Sequence, residues 1–325
     1  MQSEHPILFS LILDNQGSAD ESDPLAVIDA LRDDRLAWVH MNADHEDTAA
    51  WLRDNISYLN PLIINALLAE ETRPRCEAFD DGLLLILRGV NLNEGAEPDD
   101  MVSLRLWVDE NRIISLCKRN LRAVEMLKAD LMEGHGPHNS ADLVSSMIHA
   151  LLEVMEPVFS EMDDATDRIE AELVDKPDMK LRFLITDIRS SSIQLRRYIA
   201  PQRDAITRLR SLQLGWLDEP AKHKLLESQD RITRYVEQLD AIRERCQVVQ
   251  DELTNTLADK LNRNMYTLSV IAGIFLPLGF LTGLLGINVG GMPGVDDADA
   301  FTIVAIACVI IAFIELLIFR KLRWI

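Results

Sequence analysis

The chain has 325 residues, room for about two domains, and carries a formal net charge of −20. That acidity excludes nucleic-acid binding, which wants a basic surface, and leaves a well-solvated or cation-attracting surface. Cys76, Cys117, Cys246 and Cys308 lie far apart with no Cys-x-x-Cys pair, which excludes a disulfide framework or zinc knuckle and suits a reducing compartment. The first residues, MQSEHPILFSLILDNQG, hold an early Glu and no basic stretch, so they do not read as a signal peptide. They read instead as a strand over Ile7–Leu13 that ends at a turn.

Residues up to about 135 read as α/β. Leu36–Met41 is a short strand, Asp47–Leu52 a helix and Pro61–Leu68 a second helix. Arg75–Val90 has two apolar runs around Asp80-Asp81-Gly82, a strong hairpin signal. Val102–Val108 and Arg112–Cys117 form another pair around Asp109-Glu110-Asn111, and Leu121–Met132 is helical. No nucleophile elbow, phosphate loop or zinc-protease motif occurs, so an enzyme is not expected. His135 and His138 sit in Gly134-His135-Gly136-Pro137-His138. They are either a metal pair or two residues of a plain Gly/Pro loop.

Ser140 reads as the N-cap of a long helix with Asp142 in its first turn. From there to Asp175 there are ten acids and one base, Arg168. The next helical stretch, Leu181–Arg210, inverts this with seven arginines against Asp187 and Asp204. Opposed charges across a helical hairpin are one reading, each exposed pair being weak. Carboxylates such as Glu156, Asp163 and Asp167 holding a divalent cation are the other.

After Gly215–Pro220 nothing stops a helix until Leu285, except Pro277. That is ~65 residues, ~98 Å at about 1.5 Å per residue. Apolar residues recur every three or four positions from Ile232 through Tyr235, Leu239, Ile242, Cys246, Val249, Leu253, Leu257 and Leu261. Such a seam packs on other helices. Its period continues as Met265, Leu268, Ala272, Leu276, Gly279 and Gly283.

From Met265 to Leu285 no side chain ionises except the Tyr266 phenol. One helix needs roughly 20 apolar residues to cross a bilayer core, so this stretch suffices. It is no plain anchor, because half of the chain's 14 glycines fall between Gly273 and Gly294. Small residues let neighbouring backbones approach closely in a membrane. A second span, Phe301–Phe319, is apolar apart from Glu315 and the Thr302 hydroxyl. Between the spans lie Asp296, Asp297 and Asp299 with no base, whereas Lys260, Arg263, Arg320, Lys321 and Arg323 flank the outer ends. The positive-inside rule therefore puts both termini in the cytoplasm. The expected fold is an α+β membrane protein: a cytoplasmic α/β domain over 1–139, a helical hairpin and stalk over 140–264, and a two-span domain over 265–325. Within the last, the spans cover about 265–285 and 301–320, joined by an outer loop, 286–300.

Two spans joined by a short outer loop, with Gly286-Ile287-Asn288 closing the first, resemble the CorA metal-ion transporter family. The family's usual tripeptide is Gly-Met-Asn. The variant here, with Gly290-Gly291-Met292-Pro293-Gly294 after it, looks more like the zinc-transporting, ZntB-like branch. The resemblance implies a divalent-cation transporter, here for zinc, in a bacterial inner membrane, with both termini cytoplasmic, no resident cofactor, and membrane lipid and further copies of itself as partners. It implies a homopentamer whose first span lines a pore through Asn262, Met265, Leu268, Ala272, Leu276, Gly279 and Gly283. Gly286, Ile287 and Asn288 would form the selectivity filter, and Asp296, Asp297 and Asp299 would gather cations at the mouth. Proton coupling and a magnesium or cobalt cargo remain open within the same family. A membrane-anchored coiled-coil sensor or scaffold is the reading from another class.

Overall fold

The computed structural model describes residues 5–33, 35–56, 58–79, 82–175, 177–286 and 298–321. The chain forms two compact units, Met1–Gln250 and Asp251–Ile325. The first is built on a seven-stranded sheet in the order β2-β1-β3-β7-β6-β5-β4. Its strands are β1 (Ile7–Leu13), β2 (Ala19–Glu21), β3 (Ala37–Asn42), β4 (Arg75–Ala78), β5 (Gly82–Gly89), β6 (Val102–Asp109) and β7 (Arg112–Cys117). Only β3 and β7 pair in parallel; the other pairings are antiparallel.

The two-residue period of a strand deals alternate side chains to opposite faces, and here both faces are covered. Leu83, Leu85, Trp38 and Ile113 enter one core, while Leu84, Val39, Met41 and Ile114 enter the other. The second core is closed by α1 (Pro24–Arg32), α2 (Thr48–Asn55) and α3 (Pro61–Leu68). The first is closed by α4 (Arg122–Met132), α5 (Ser140–Asp175), α6 (Met179–Ser211) and the early turns of α7 (Glu219–Leu285). Leu143, Met147 and Leu151 of α5 lie in the same core as the sheet, so the helical half of this unit packs directly on the α/β half.

Two local expectations are corrected, and one stretch is added to them. β1 ends at a turn as expected, and β2 and the whole of α1 follow it. Asp23 starts that helix: its Oδ1 accepts from the Leu25 and Ala26 amides, both at 2.8 Å, with Pro24 next to it. The signal, Asp-Pro before an apolar run, was present. The cap of α5 is Asn139 rather than Ser140. Asn139 Oδ1 accepts from the Asp142 amide at 2.8 Å, while the Ser140 hydroxyl donates to the Glu110 carbonyl at 2.8 Å. Both residues cap helices well, so burial decided between them.

The second correction concerns the acidic and basic helices. Among the described residues the α5 acids pair with α7 rather than with the arginines of α6. Arg245 of α7 donates from Nη1 to Asp163 Oδ1 at 2.8 Å and from Nε to Glu170 Oε1 at 2.8 Å, and also binds Asp167. Arg196 of α6 likewise reaches Asp240 of α7, at 2.6 Å. Charge composition reported which helices attract, but the partner of each is found on α7.

The second unit holds α7 from Asp251 onward and α8 (Ala300–Lys321). α8 buries no residue fully. A Cβ added at Gly273 would meet the Phe319 ring at 2.7 Å, so this glycine is where α7 admits α8. α5 is also long and apolar enough to cross a membrane, but more than half of its most apolar stretch is buried within the protein, against none for α7 and α8.

Candidate functional site

The seam of α7 changes environment along its length. Ile232, Tyr235, Leu239, Ile242, Cys246, Val249 and Leu253 are all buried. Tyr235 shows why: its ring lies 4.5 Å from that of Phe159 on α5, and its hydroxyl donates to the Leu152 carbonyl. Beyond Leu253 the same spacing runs out of partners. Met265, Leu268 and Leu276 are 59%, 63% and 74% exposed. Asn262 and Ala272 are exposed as well, and a Cβ at Gly279 or Gly283 would meet nothing within 4 Å. An apolar stripe of this length in water is unfavourable by roughly 25 cal/mol per Å². It belongs in lipid or against another protein surface.

Gly286 closes the last turn, its amide donating to the Thr282 carbonyl at 2.9 Å. Ile287, Asn288, Asp296 and Asp297 lie outside the described residues. Asp299 is described: it precedes α8, and its carbonyl accepts from the Ile303 amide at 3.0 Å. A carboxylate there also complements the positive end of the helix. Glu315 of α8 is half-buried and has one carboxylate oxygen, Oε2, shielded from solvent with no hydrogen-bond partner among the described residues.

The metal candidates of the first unit do not converge. Among the described residues no group of three or more His, Cys, Asp or Glu is placed to hold an ion. Asp163 and Asp167 share the Arg245 guanidinium with Glu170. These contacts hold Arg245 well above its ordinary pKa, chiefly through Glu170 and then Asp167. A cation therefore already sits among these acids, supplied by the chain. Glu156 is exposed beside Arg231, Arg234 and Gln238 around a cavity of ≈340 Å³. His135 and His138 belong to a loop docked on the turn after β1, where the Gly136 amide donates to the Gly17 carbonyl at 2.8 Å. The sequence reading missed Arg245; its signal was a base on the seam's flank opposite a helix of unpaired acids.

Residues 33–321 match the model of the CorA-like Mg2+ transporter protein family. The chain belongs to the CorA family. A divalent cation transporter named CmaX from Pseudomonas aeruginosa is 39% identical over 99% of this chain and 97% of its own length. A zinc transport protein, ZntB, from Yersinia enterocolitica is 34% identical over 90% of this chain and 88% of its own. The solved structure of full-length CmaX superimposes with a TM-score of 0.85 at 38% identity, covering 99% of both chains. The CorA magnesium transporter of Methanocaldococcus jannaschii, at 18% identity and a TM-score of 0.80, shares the fold across 100% of both chains. This CorA-family chain is therefore a membrane protein and a divalent-cation transporter, with an N-terminal α/β domain, a long helix and a C-terminal membrane helix pair.

Proposed function

We propose that this CorA-family protein carries zinc as a hydrated dication through the centre of a homopentamer, with α7 lining the path. The observation that carries the reading is the stripe from Met265 to Gly283, which stays open in the single chain. Two helices cannot enclose water, whereas cyclic association repeats one face about an axis and can. Gly279 and Gly283 allow close approach there, and Met265, Leu268 and Leu276 supply an apolar throat that gates by dewetting.

At the outer end the Asn288 amide and the Gly286 carbonyl supply neutral oxygens. Such groups hydrogen-bond the first water shell of a dication without stripping it. Asp296, Asp297 and Asp299 raise the local cation concentration, an effect screened by salt. No Cys or His occurs between Met265 and Leu285, so tight soft-ligand binding does not select the ion, and cobalt, nickel and cadmium should pass too. Zinc is favoured by the Gly-Ile-Asn filter and by relatives named as zinc transport proteins. The functional division is 1–139, 140–264 and 265–325, in a bacterial inner membrane with both termini cytoplasmic.

Metal flux into liposomes, run with zinc and with magnesium and with and without a pH gradient, is the direct test. Zinc entry, steeper with the proton gradient, is expected. Magnesium entry without zinc accumulation would overturn the zinc assignment and make the protein a magnesium or cobalt channel of the same family. A cysteine at Asp297 should label from outside and one at Arg323 should not; the reverse would sink the topology.

A further inference from the structure

A cleft of ≈610 Å³ lies in the first unit between the sheet and α4. Its place follows from the topology. β3 and β7 are neighbours and parallel. The chain leaves β3 for α2 on one face of the sheet and leaves β7 for α4 on the other. Open α/β sheets leave a crevice at the carboxyl ends of such a strand pair, and ligands bind there. Asn42 at the end of β3 and Cys117 at the end of β7 both line this cleft. Its volume falls in the range of roughly 300–1,000 Å³ that small organic ligands occupy.

The chemistry of the walls is specific. His40, only 3% exposed, lines the interior. Its Nδ1 lies 2.7 Å from Ser115 Oγ, which also accepts from Trp38 Nε1–H at 2.7 Å. Ser115 Oγ also lies 3.4 Å from the Val39 carbonyl, to which it can donate. With Nδ1 engaged by Ser115, Nε2 is the ring atom left for a ligand, a donor or an acceptor according to the tautomer, on a ring that burial keeps neutral. At the mouth stand Lys118, Arg119 and Lys128, three cations on a chain of net charge −20. α4 begins beside them with Leu121 in the cap position, whose side chain makes no cap bond, and with the Glu125 carboxylate in its first turn held by the Asn120 side-chain amide. Leu8 and Met132, both exposed, supply an apolar wall. The carboxylates now paired with the cations, Asp44, Asp100 and Glu21, lie at 2.8 to 2.9 Å in solvent-exposed pairs. Such pairs are weak, so an incoming anion can displace them.

We propose that this cleft binds a small organic anion, with its charged group at Lys118, Arg119 and the start of α4, and its apolar body against Leu8 and Met132. His40 Nε2 hydrogen-bonds a polar atom at the inner end. This site is separate from the membrane path and goes beyond cation transport.

The test uses the full-length protein in lipid nanodiscs, with phenyl phosphate as probe and inorganic phosphate as control, read by calorimetric titration. Saturable binding of phenyl phosphate is expected, with inorganic phosphate about tenfold weaker or more because it lacks the apolar body. Lys118→Ala combined with Lys128→Ala, both outside the core, should weaken phenyl phosphate about fivefold or more. Ala129→Trp, exposed on α4 at the cleft, should fill the space and abolish binding without lowering the melting temperature. No saturable binding, unchanged affinity in both variants, or equal affinity for inorganic phosphate would each overturn the proposal.

Discussion

The two ends of α7 carry the same periodic stripe and meet opposite fates. From Ile232 to Val249 the stripe is buried within the first unit, where Tyr235 packs against Phe159 of α5. From Met265 to Gly283 it stays open. Period alone therefore says that a face is meant to be covered and is silent on what covers it. The first unit completes its core within one chain. The second is complete only with lipid and, under the proposed function, with further copies.

The largest effect that separates the two regions should come from the open end. Asn288→Ala and Gly283→Leu should each cut zinc flux into liposomes by about tenfold or more by altering the mouth or narrowing the path. Neither should change the melting of the first unit, and Asn288→Ala should leave the oligomer assembled on native mass spectrometry. Normal flux in Asn288→Ala would reduce that residue to a helix cap. A glycine in the closed region should behave differently. A Cβ at Gly82 would lie 2.4 Å from the Trp107 ring and 2.8 Å from the Val108 carbonyl. Gly82→Ala should thus cost ~2 kcal/mol in urea unfolding, with flux per folded molecule unchanged.

Arg245→Ala tests the join between α5 and α7 inside the first unit. It removes the cation that Asp163, Asp167 and Glu170 share, so ~1 kcal/mol should be lost, a modest figure because the group is partly solvated. Added divalent cation should restore part of that loss if the vacated carboxylates can hold it; no recovery would show that the arginine geometry is what matters. A further effect concerns pH. Burial lowers the His40 pKa from 6.5 to about 3, so between those values the unfolded chain binds the extra proton. Stability is then full above pH 6.5 and falls as pH drops toward 3, by at most about 1.4 kcal/mol per unit. His40→Gln should flatten the slope of urea midpoint against pH between 6 and 5.

Much of the frame was legible in residues. The β-branched and leucine runs around Asp80-Asp81-Gly82 and Asp109-Glu110-Asn111 specified two hairpins, and both strand pairs formed. The uninterrupted run to Leu285 specified a single helix, observed as 67 residues. The parts that were not legible depend on distance through space. β2 has three residues, too few for any period to show. Arg245 and Asp163 are 82 positions apart, and no local pattern links them. His40 reads as one polar residue in a strand, and its role rests on Ser115, 75 positions on.

The amino-acid sequence by itself determined where this protein meets the membrane, because hydropathy, glycine content and the placement of bases are sums over neighbouring residues. It also determined the family, since Gly286-Ile287-Asn288 between two spans is a contiguous signal. Only the tertiary structure decided which apolar helix is a core helix. α5 and α8 are both apolar enough to span a bilayer, yet α5 buries its apolar stretch within its own unit and α8 buries no residue. Burial is a property of what stands opposite a face, and that partner comes from elsewhere in the chain.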